Sequence, residues 1–325
     1  MKSASVIIIN WNGASHIDTC LRALQSEATN SDEIIVVDNA STDHSVEFVR
    51  TYFSAIRLVC NEANLGYAGG ANVGLRAARG DVLVLLNPDV EVRSGWLDAV
   101  KAGLEPGDVG VVGCKLLYPG GNVIQHAGGI LKRPLGLSDH YGYGRIDVGQ
   151  FDTVRDVDFV TGAAFALRRD LLESVGFFDD AFYPAYSEEV DYCLRVREAG
   201  YRVLYVPTAV AIHHEYSSVG GNSSQYYQFF HRNRLRLMFK HCTMDYLLKR
   251  FVPEEMVWLS RQARVEEGAI MPRLYLEAAW DYPATHRRDC GDSGKDAWTI
   301  APMITALHNL HDYARRQFAQ RKGLW

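Results

Sequence analysis

Val82-Leu83-Val84-Leu85-Leu86-Asn87-Pro88-Asp89-Val90 is the stretch whose reading decides the architecture. Its apolar run shows no polar alternation, which predicts a strand buried on both faces. Pro88 ends the run, because it fixes φ and offers no N–H to a ladder. Asp89 therefore falls just past the carboxyl end of a central strand, where ligands bind in open α/β sheets. The simpler alternative is that Asn-Pro-Asp only makes a turn.

Working outward, the segments before this strand alternate. An apolar β-branched run at Val6 to Ile9 ends in Asn10-Trp11-Asn12-Gly13, and Ile17, Leu21 and Leu24 follow at helical spacing. Glu33 to Asp38 reads as a second buried strand closed by an acid. Asn39 to Asp43 carries turn and cap chemistry into a helix from Ser45 to Phe53. Ile56 to Cys60 is a third strand. Asn61 to Asn72 is rich in Asn and Gly, with a helix running on to Ala78. This β-α-β-α-β-α-β order predicts an α/β fold, a Rossmann-like and mostly parallel sheet with helices on both faces.

The second half is less regular. Residues 119 to 152 form a long irregular segment of the kind that covers a site. Val157 to Leu167 reads as a strand broken at Thr161-Gly162-Ala163. Ser187 is the expected cap of a helix opening Glu188-Glu189-Val190-Asp191, and Tyr201 to Val206 and Ala209 to Ile212 are two strands closed by His213-His214. Beyond residue 220 the pattern becomes helical and basic-aromatic, with Arg232, Arg234, Arg236 and Lys240, and a last helix spans about 304 to 320. The expected division is 1–220 for a catalytic domain and 221–325 for a mainly helical C-terminal extension.

Composition narrows the classes. The chain has 325 residues, 47% hydrophobic and 22% charged, with net charge -5, so it is an ordinary globular protein with no footprint for nucleic acid. No apolar window is long enough to span a bilayer, and the first strand starts without a leader pattern. The six cysteines are scattered with no CxxC pair, which fits a reducing cytoplasm.

Several groups carry candidate chemistry. Asp89 and one of the two histidines closing a later strand, His213 or His214, make a plausible shell for Mn²⁺ or Mg²⁺, completed by diphosphate oxygens and water; the two point to opposite faces, so at most one serves. Asp38 is placed to accept hydrogen bonds from a ribose or base edge; the alternative is a turn or cap. Asn64, Gly66, Gly69, Gly70 and Asn72 would let a ligand approach the backbone closely. No Gly-Lys-Ser/Thr follows, so this is not a triphosphate loop. Among Glu188, Glu189 and Asp191, one carboxylate is a candidate general base, which the helix dipole would keep ionised. Against that, acids favour helix starts in any case, and Asp191 with Arg195 is a routine i,i+4 pair.

Taken in order, these stretches resemble the family 2 glycosyltransferases, inverting enzymes of the GT-A fold, and within them the rhamnosyltransferase-like branch that builds bacterial surface polysaccharides. The resemblance runs through Val6 to Asn12, Val36 to Asp43, Asn61 to Asn72, Leu86 to Asp89, Val160 to Ala163 and Glu188 to Pro207, about residues 4 to 240. It implies donor contacts from Asn10, Asn12, Asp38, Asn39, Asn64, Gly66, Asn72, Asn87 and Asp89, and an acceptor side at Thr161 and Gly162. Asn87-Pro88-Asp89 stands where the family has Asp-X-Asp, leaving Asp89 with the metal role and His213 as the later ligand. The family's usual base is an Asp, where this chain has Glu189; Asp191 is the runner-up and Glu188 the neighbouring acid. A nucleoside-diphosphate sugar, UDP- or dTDP-linked, and a saccharide or lipid-linked acceptor are the implied partners. A lipid-linked acceptor would bring the protein to the inner face of the membrane, and the basic C-terminal helix would then pack on the core, form a homodimer or touch anionic lipid. The competing classes are a sugar nucleotidyltransferase and a catalytically silent nucleotide-sugar-binding protein. The first normally needs a basic loop after strand one, which Asn10 to Gly13 lacks.

Overall fold

The computed structural model describes residues 2–215, 223–290 and 297–321, with side chains of 282–300 left aside. The chain forms two compact units. Residues 1–131 and 138–216 make one, and residues 132–137 join 217–325 in the other. The expected division at 220/221 lies outside the described residues.

The first unit opens with β1 (Ala4–Asn10), α1 (Ile17–Glu27), β2 (Glu33–Asp38), α2 (Ser45–Tyr52), β3 (Arg57–Cys60), α3 (Gly66–Ala77) and β4 (Val82–Leu86). It continues through β5 (Val90–Val92), α4 (Trp96–Gly103), β6 (Val109–Leu117), β7 (Ile124–His126), β8 (Gly129–Lys132), β9 (Leu137–His140), β10 (Arg155–Asp156) and β11 (Ala164–Arg168). The helices α5 (Leu171–Ser174) and α6 (Glu188–Glu198) and the long strand β12 (Arg202–His213) complete it. The main sheet runs β10-β12-β6-β11-β4-β1-β2-β3. Its β4-β1-β2-β3 half is parallel, and β11 is inserted antiparallel between β4 and β6. Every residue of β1 and β4 is buried, as their unalternating apolar runs require.

Two departures from the sequence reading matter for the site. The Gly-rich stretch is not an irregular loop: α3 already begins at Gly66. Its glycines let the helix lie close on the sheet. A Cβ at Gly74 would come within 2.2 Å of Ile7 Cγ2. The second departure is that β12 is one strand where two are expected. Pro207 offers no ladder donor, and the register against β6 shifts between Val206 and Val210 instead of the strand ending. Its far end then pairs with β5, setting His213 opposite Val90.

The second unit contains α7 (Ser224–His241), α8 (Met244–Tyr246), a π-turn at Leu247–Phe251, α9 (Val252–Arg261), α10 (Val265–Cys290) and α11 (Ala297–Arg321). Leu235, Phe251, Trp258, Leu274, Tyr275, Met303, Leu307 and Leu310 form its core. Of the three roles open to the basic helix α7, its central arginine takes the packing one. Arg234 is wholly buried, held bidentately by Glu255 at 2.5 and 2.9 Å, and donates to the Leu135 carbonyl at 2.8 Å. Arg236 lies 3.8 Å from Asp281. Helix packing has claimed the central guanidinium, so it is not available to lipid. Among the described residues no helix is long and apolar enough to cross a membrane.

Candidate active site

The parallel half of the sheet delivers its polar residues to one edge. Asn10 and Asp38 are direct neighbours across β1 and β2. Asn10 Nδ2 donates to Asp38 Oδ1 and to Ser45 Oγ, both at 2.8 Å. Asp38 Oδ2 accepts the Ser41 N–H at 2.9 Å and Oδ1 accepts the Ser41 hydroxyl at 2.5 Å. Asp38 is thus a 2%-exposed brace of the turn after β2, in the manner of an Asx-turn. Asn12, at φ 54°, accepts the Thr42 N–H at 2.8 Å.

The remaining donor-side candidates brace the same rim. Asn39 Nδ2 donates to the Gly66 carbonyl at 2.9 Å and its Oδ1 accepts from Asn61 at 2.8 Å. Asn64 Oδ1 accepts the Gly66 N–H at 2.8 Å. Asn72 uses both ends of its amide on the backbone of Phe178, at 2.9 and 3.0 Å, and so serves packing. Asn87 donates its backbone N–H to the Ala163 carbonyl at 3.0 Å, which sets the Thr161-Gly162 turn beside Asn87-Pro88-Asp89.

Asp89 meets the candidate ligand expected for it. Pairing of β5 with β12 brings His213 Nε2 to 3.3 Å from Asp89 Oδ1, and both side chains are largely buried. A residue with no sequence signal fixes the imidazole. Gln125 Nε2 donates to Glu215 at 3.2 Å, so its Oε1 faces His213 Nδ1 at 2.5 Å. An amide carbonyl only accepts, so Nδ1 carries a proton, and Nε2 is the ring nitrogen that faces Asp89. This nitrogen and the carboxylate facing it are stabilised by a proton or a metal cation held between them. This donor set fits a hard divalent ion, with Gln125 acting as the outer hydrogen-bond partner common to metal-bound histidines. Among the described residues no group of three or more His, Cys, Asp or Glu gathers for a metal. Two protein ligands would leave the other positions to ligand oxygens and water.

The acidic helix start sorts its three carboxylates. Asp191 is fully buried, and its Oδ2 accepts from Arg195 Nε at 2.9 Å. Arg195 also donates to the carbonyls of Val175 and Phe177. Asp191 therefore anchors α6. Glu188 is buried, and its Oε2 has no hydrogen-bond partner. Burial, then the charges of Glu189 and Asp191, hold its carboxyl well above the usual range. Glu189 is half-buried. Burial pushes it up to about 7, against the downward pull of the Glu189, Val190 and Ser187 N–H groups. Desolvation thus outweighs the helix terminus, and Glu189 is poised near neutrality instead of fully ionised.

Ser187 precedes this helix without a side-chain cap. It and Tyr186 sit at φ 72° and 80°, a conformation that non-glycine residues adopt only under constraint. Tyr67, on the first turn of α3, supplies part of that constraint. Its N–H donates to the Pro184 carbonyl at 2.7 Å and its hydroxyl to the Gly162 carbonyl at 2.5 Å. Burial and then the charges of Glu188 and Glu189 hold its phenol well above its ordinary range. The phenol is therefore an intact donor close to both carboxyls. A chain of contacts thus links the Asn87-Pro88-Asp89 corner, through the Thr161-Gly162 turn and Tyr67, to the start of α6.

The sequence model of glycosyl transferase family 2 matches residues 5–176. The O-antigen biosynthesis protein RfbC of Myxococcus xanthus is 34% identical over 196 residues, covering 57% of this chain and 15% of that protein. The N-acetylglucosaminyl-diphospho-decaprenol L-rhamnosyltransferase of Mycobacterium tuberculosis is 25% identical over 254 residues, covering 70% of this chain and 81% of that one. The chain spans only 22% and 15% of the length of two of the curated relatives it matches. Among solved structures, GalNAc-T7 with UDP, GalNAc and Mn²⁺ superposes with a TM-score of 0.62 at 15% identity, covering 98% of this chain and 56% of that one. At that identity the likeness is one of fold.

Proposed function

The chain belongs to glycosyl transferase family 2, and from that premise we propose that it transfers a sugar from a UDP- or dTDP-linked donor to a hydroxyl of a saccharide or lipid-linked acceptor, with inversion, in surface-polysaccharide synthesis. The observation that carries this reading is the 3.3 Å approach of His213 Nε2 to Asp89 Oδ1, with the imidazole tautomer set by Gln125. The RfbC and rhamnosyltransferase names support the polysaccharide context, and the Mn²⁺ of the GalNAc-T7 structure supports the metal.

Asp89 and His213 would hold Mn²⁺ or Mg²⁺, which when bound supplies positive charge for the departing diphosphate. Glu189 removes the proton of the acceptor hydroxyl as its oxygen attacks the anomeric carbon. The new C–O bond forms as the bond to the diphosphate breaks, and one displacement inverts the anomeric centre. Glu188, enclosed beside the base, has its carboxyl held above the usual range by burial. The rim residues Asn10, Asn12, Asp38 and Asn39 shape the nucleoside side, largely through the backbone that their hydrogen bonds fix.

The test is a donor panel of UDP-GlcNAc, GDP-mannose and dTDP-rhamnose, scored by thermal shift with and without Mn²⁺ and then by nucleoside-diphosphate release with acceptor sugars. One donor should raise Tm only with Mn²⁺ and release its diphosphate faster when acceptor is added. A metal-independent shift, or release of pyrophosphate from a sugar phosphate and a nucleoside triphosphate, would contradict the reading.

A further inference from the structure

We infer that Tyr67 is a positioning residue for the transfer step: it holds the segment carrying Glu189 in register with the Thr161-Gly162 turn. The inference rests on Glu189 being the base. Three observations carry it, and all lie in the first unit. The first is the double attachment of this one residue. Its backbone N–H binds Pro184, five positions ahead of Glu189, and its hydroxyl binds Gly162. Both partners lie far away in sequence, so the two bonds tie α3 to two separate segments.

The second observation is the absence of slack. A Cβ at Gly66, at φ 71°, would stand 2.6 Å from the Pro184 oxygen, and one at Gly162 would stand 3.0 Å from Tyr67 Cζ. The helix start is therefore pressed against Pro184, and the turn against the Tyr67 ring, with little room to shift. The third is the strain at Tyr186 and Ser187, the link between Pro184 and the acidic helix. Left-handed residues persist only where surrounding contacts over-determine them. The Tyr67–Pro184 bond, with Asn39 and Asn64 gripping the two sides of Gly66, supplies such contacts. Tyr67 itself does not reach the reacting atoms, because its hydroxyl proton is committed to the Gly162 carbonyl. Its effect is on where the base and the acceptor-side turn stand relative to each other, and reaction rates fall steeply with small misplacements of such groups.

Tyr67→Phe keeps the ring and the backbone bond to Pro184 and deletes only the bond to Gly162. Gly162→Ala pushes the ring from the other side. Both are measured in the full chain beside Glu189→Gln, with the Mn²⁺-dependent donor from the panel, recording kcat, donor Kd and Tm. For Tyr67→Phe the expectation is a fall in kcat of about tenfold or more, with donor Kd within about twofold. Tm should stay within about 3 °C, the scale of one modest hydrogen bond in a chain of this size. Gly162→Ala should reproduce the same split. A kcat within about twofold of wild type in Tyr67→Phe while Glu189→Gln is inactive would overturn the inference alone. Loss of donor affinity in step with Tm would overturn it too, by making Tyr67 purely structural. If Glu189→Gln itself turns over normally, the assignment of the base fails, and the inference falls with it.

Discussion

Two buried polar clusters, one in each unit, show opposite bookkeeping. In the helical unit Arg234, Glu255, His231, Glu267 and Tyr275 close on one another. Arg234 pairs with Glu255 and donates to His231 Nδ1 at 3.2 Å. His231 Nε2 meets Glu267 at 3.0 Å, and the Tyr275 hydroxyl reaches Glu255 at 2.6 Å. Around the sheet edge the polar groups do not close. Glu188 Oε2 has no hydrogen-bond partner, Glu189 is pushed up to about 7, and His213 Nε2 stands 3.3 Å from Asp89 Oδ1. Buried polar groups that satisfy each other specify a packing. Groups left incomplete at a strand edge point to a ligand that completes them. The charge-rich helix is thus the structural cluster, and we propose the less conspicuous corner as the functional one.

The largest effect that would sharpen this contrast is on stability. Arg234→Met leaves Glu255 uncompensated in the core and should cost about 3–5 kcal/mol in chemical denaturation followed by tryptophan emission. The cost should drop in the Arg234→Met/Glu255→Met pair. A cost under about 1 kcal/mol for the single change would break the comparison by showing that the cluster is not closed. Next in size is Gln125→Leu, which frees the imidazole to change tautomer. It should weaken Mn²⁺ binding by about 10–100-fold, read by electron paramagnetic resonance of free Mn²⁺, while Tm in the absence of metal barely moves. The smallest effect needs no mutation. Glu189 must be ionised to accept a proton, and burial has moved it up to about 7. Hence kcat/KM should fall with acidity below neutrality, approaching tenfold per pH unit well below 7, and level off above it. A profile flat down to pH 5 would argue that another group takes the proton.

Much of the first unit was legible in the sequence. The buried runs of β1, β2 and β4 match their predicted limits closely, because a strand enclosed on both faces has nothing but apolar residues to show. Asp89 and the His213-His214 pair could be read as candidates because each closes a strand, and the family resemblance singled out His213. Nothing local announced Gln125, since its role comes from β7 lying against β6 and from a neighbour 88 positions away. Tyr67 was hidden among glycines that suggest a loop and in fact allow close helix packing. Asn72 and Asp38 were read as ligand contacts, and amides and carboxylates at turns serve backbone and ligand alike; their polar atoms here bond Phe178 and Ser41. In the helical unit, residues 244–290 were expected to be mainly helical, but no individual helix was delimited there. Pro272 within α10, and charged residues buried in pairs, blur the apolar stripe that would have revealed them.

The central claim is that Glu189 takes the proton beside a donor held by the Asp89–His213 corner. Glu189→Gln tests it most directly, with donor affinity and single-turnover transfer measured on one sample in Mn²⁺. The account predicts a donor Kd within about twofold of wild type and transfer slowed by about a thousandfold or more, since the amide keeps the shape and cannot accept the proton. Transfer within about tenfold of wild type would contradict it.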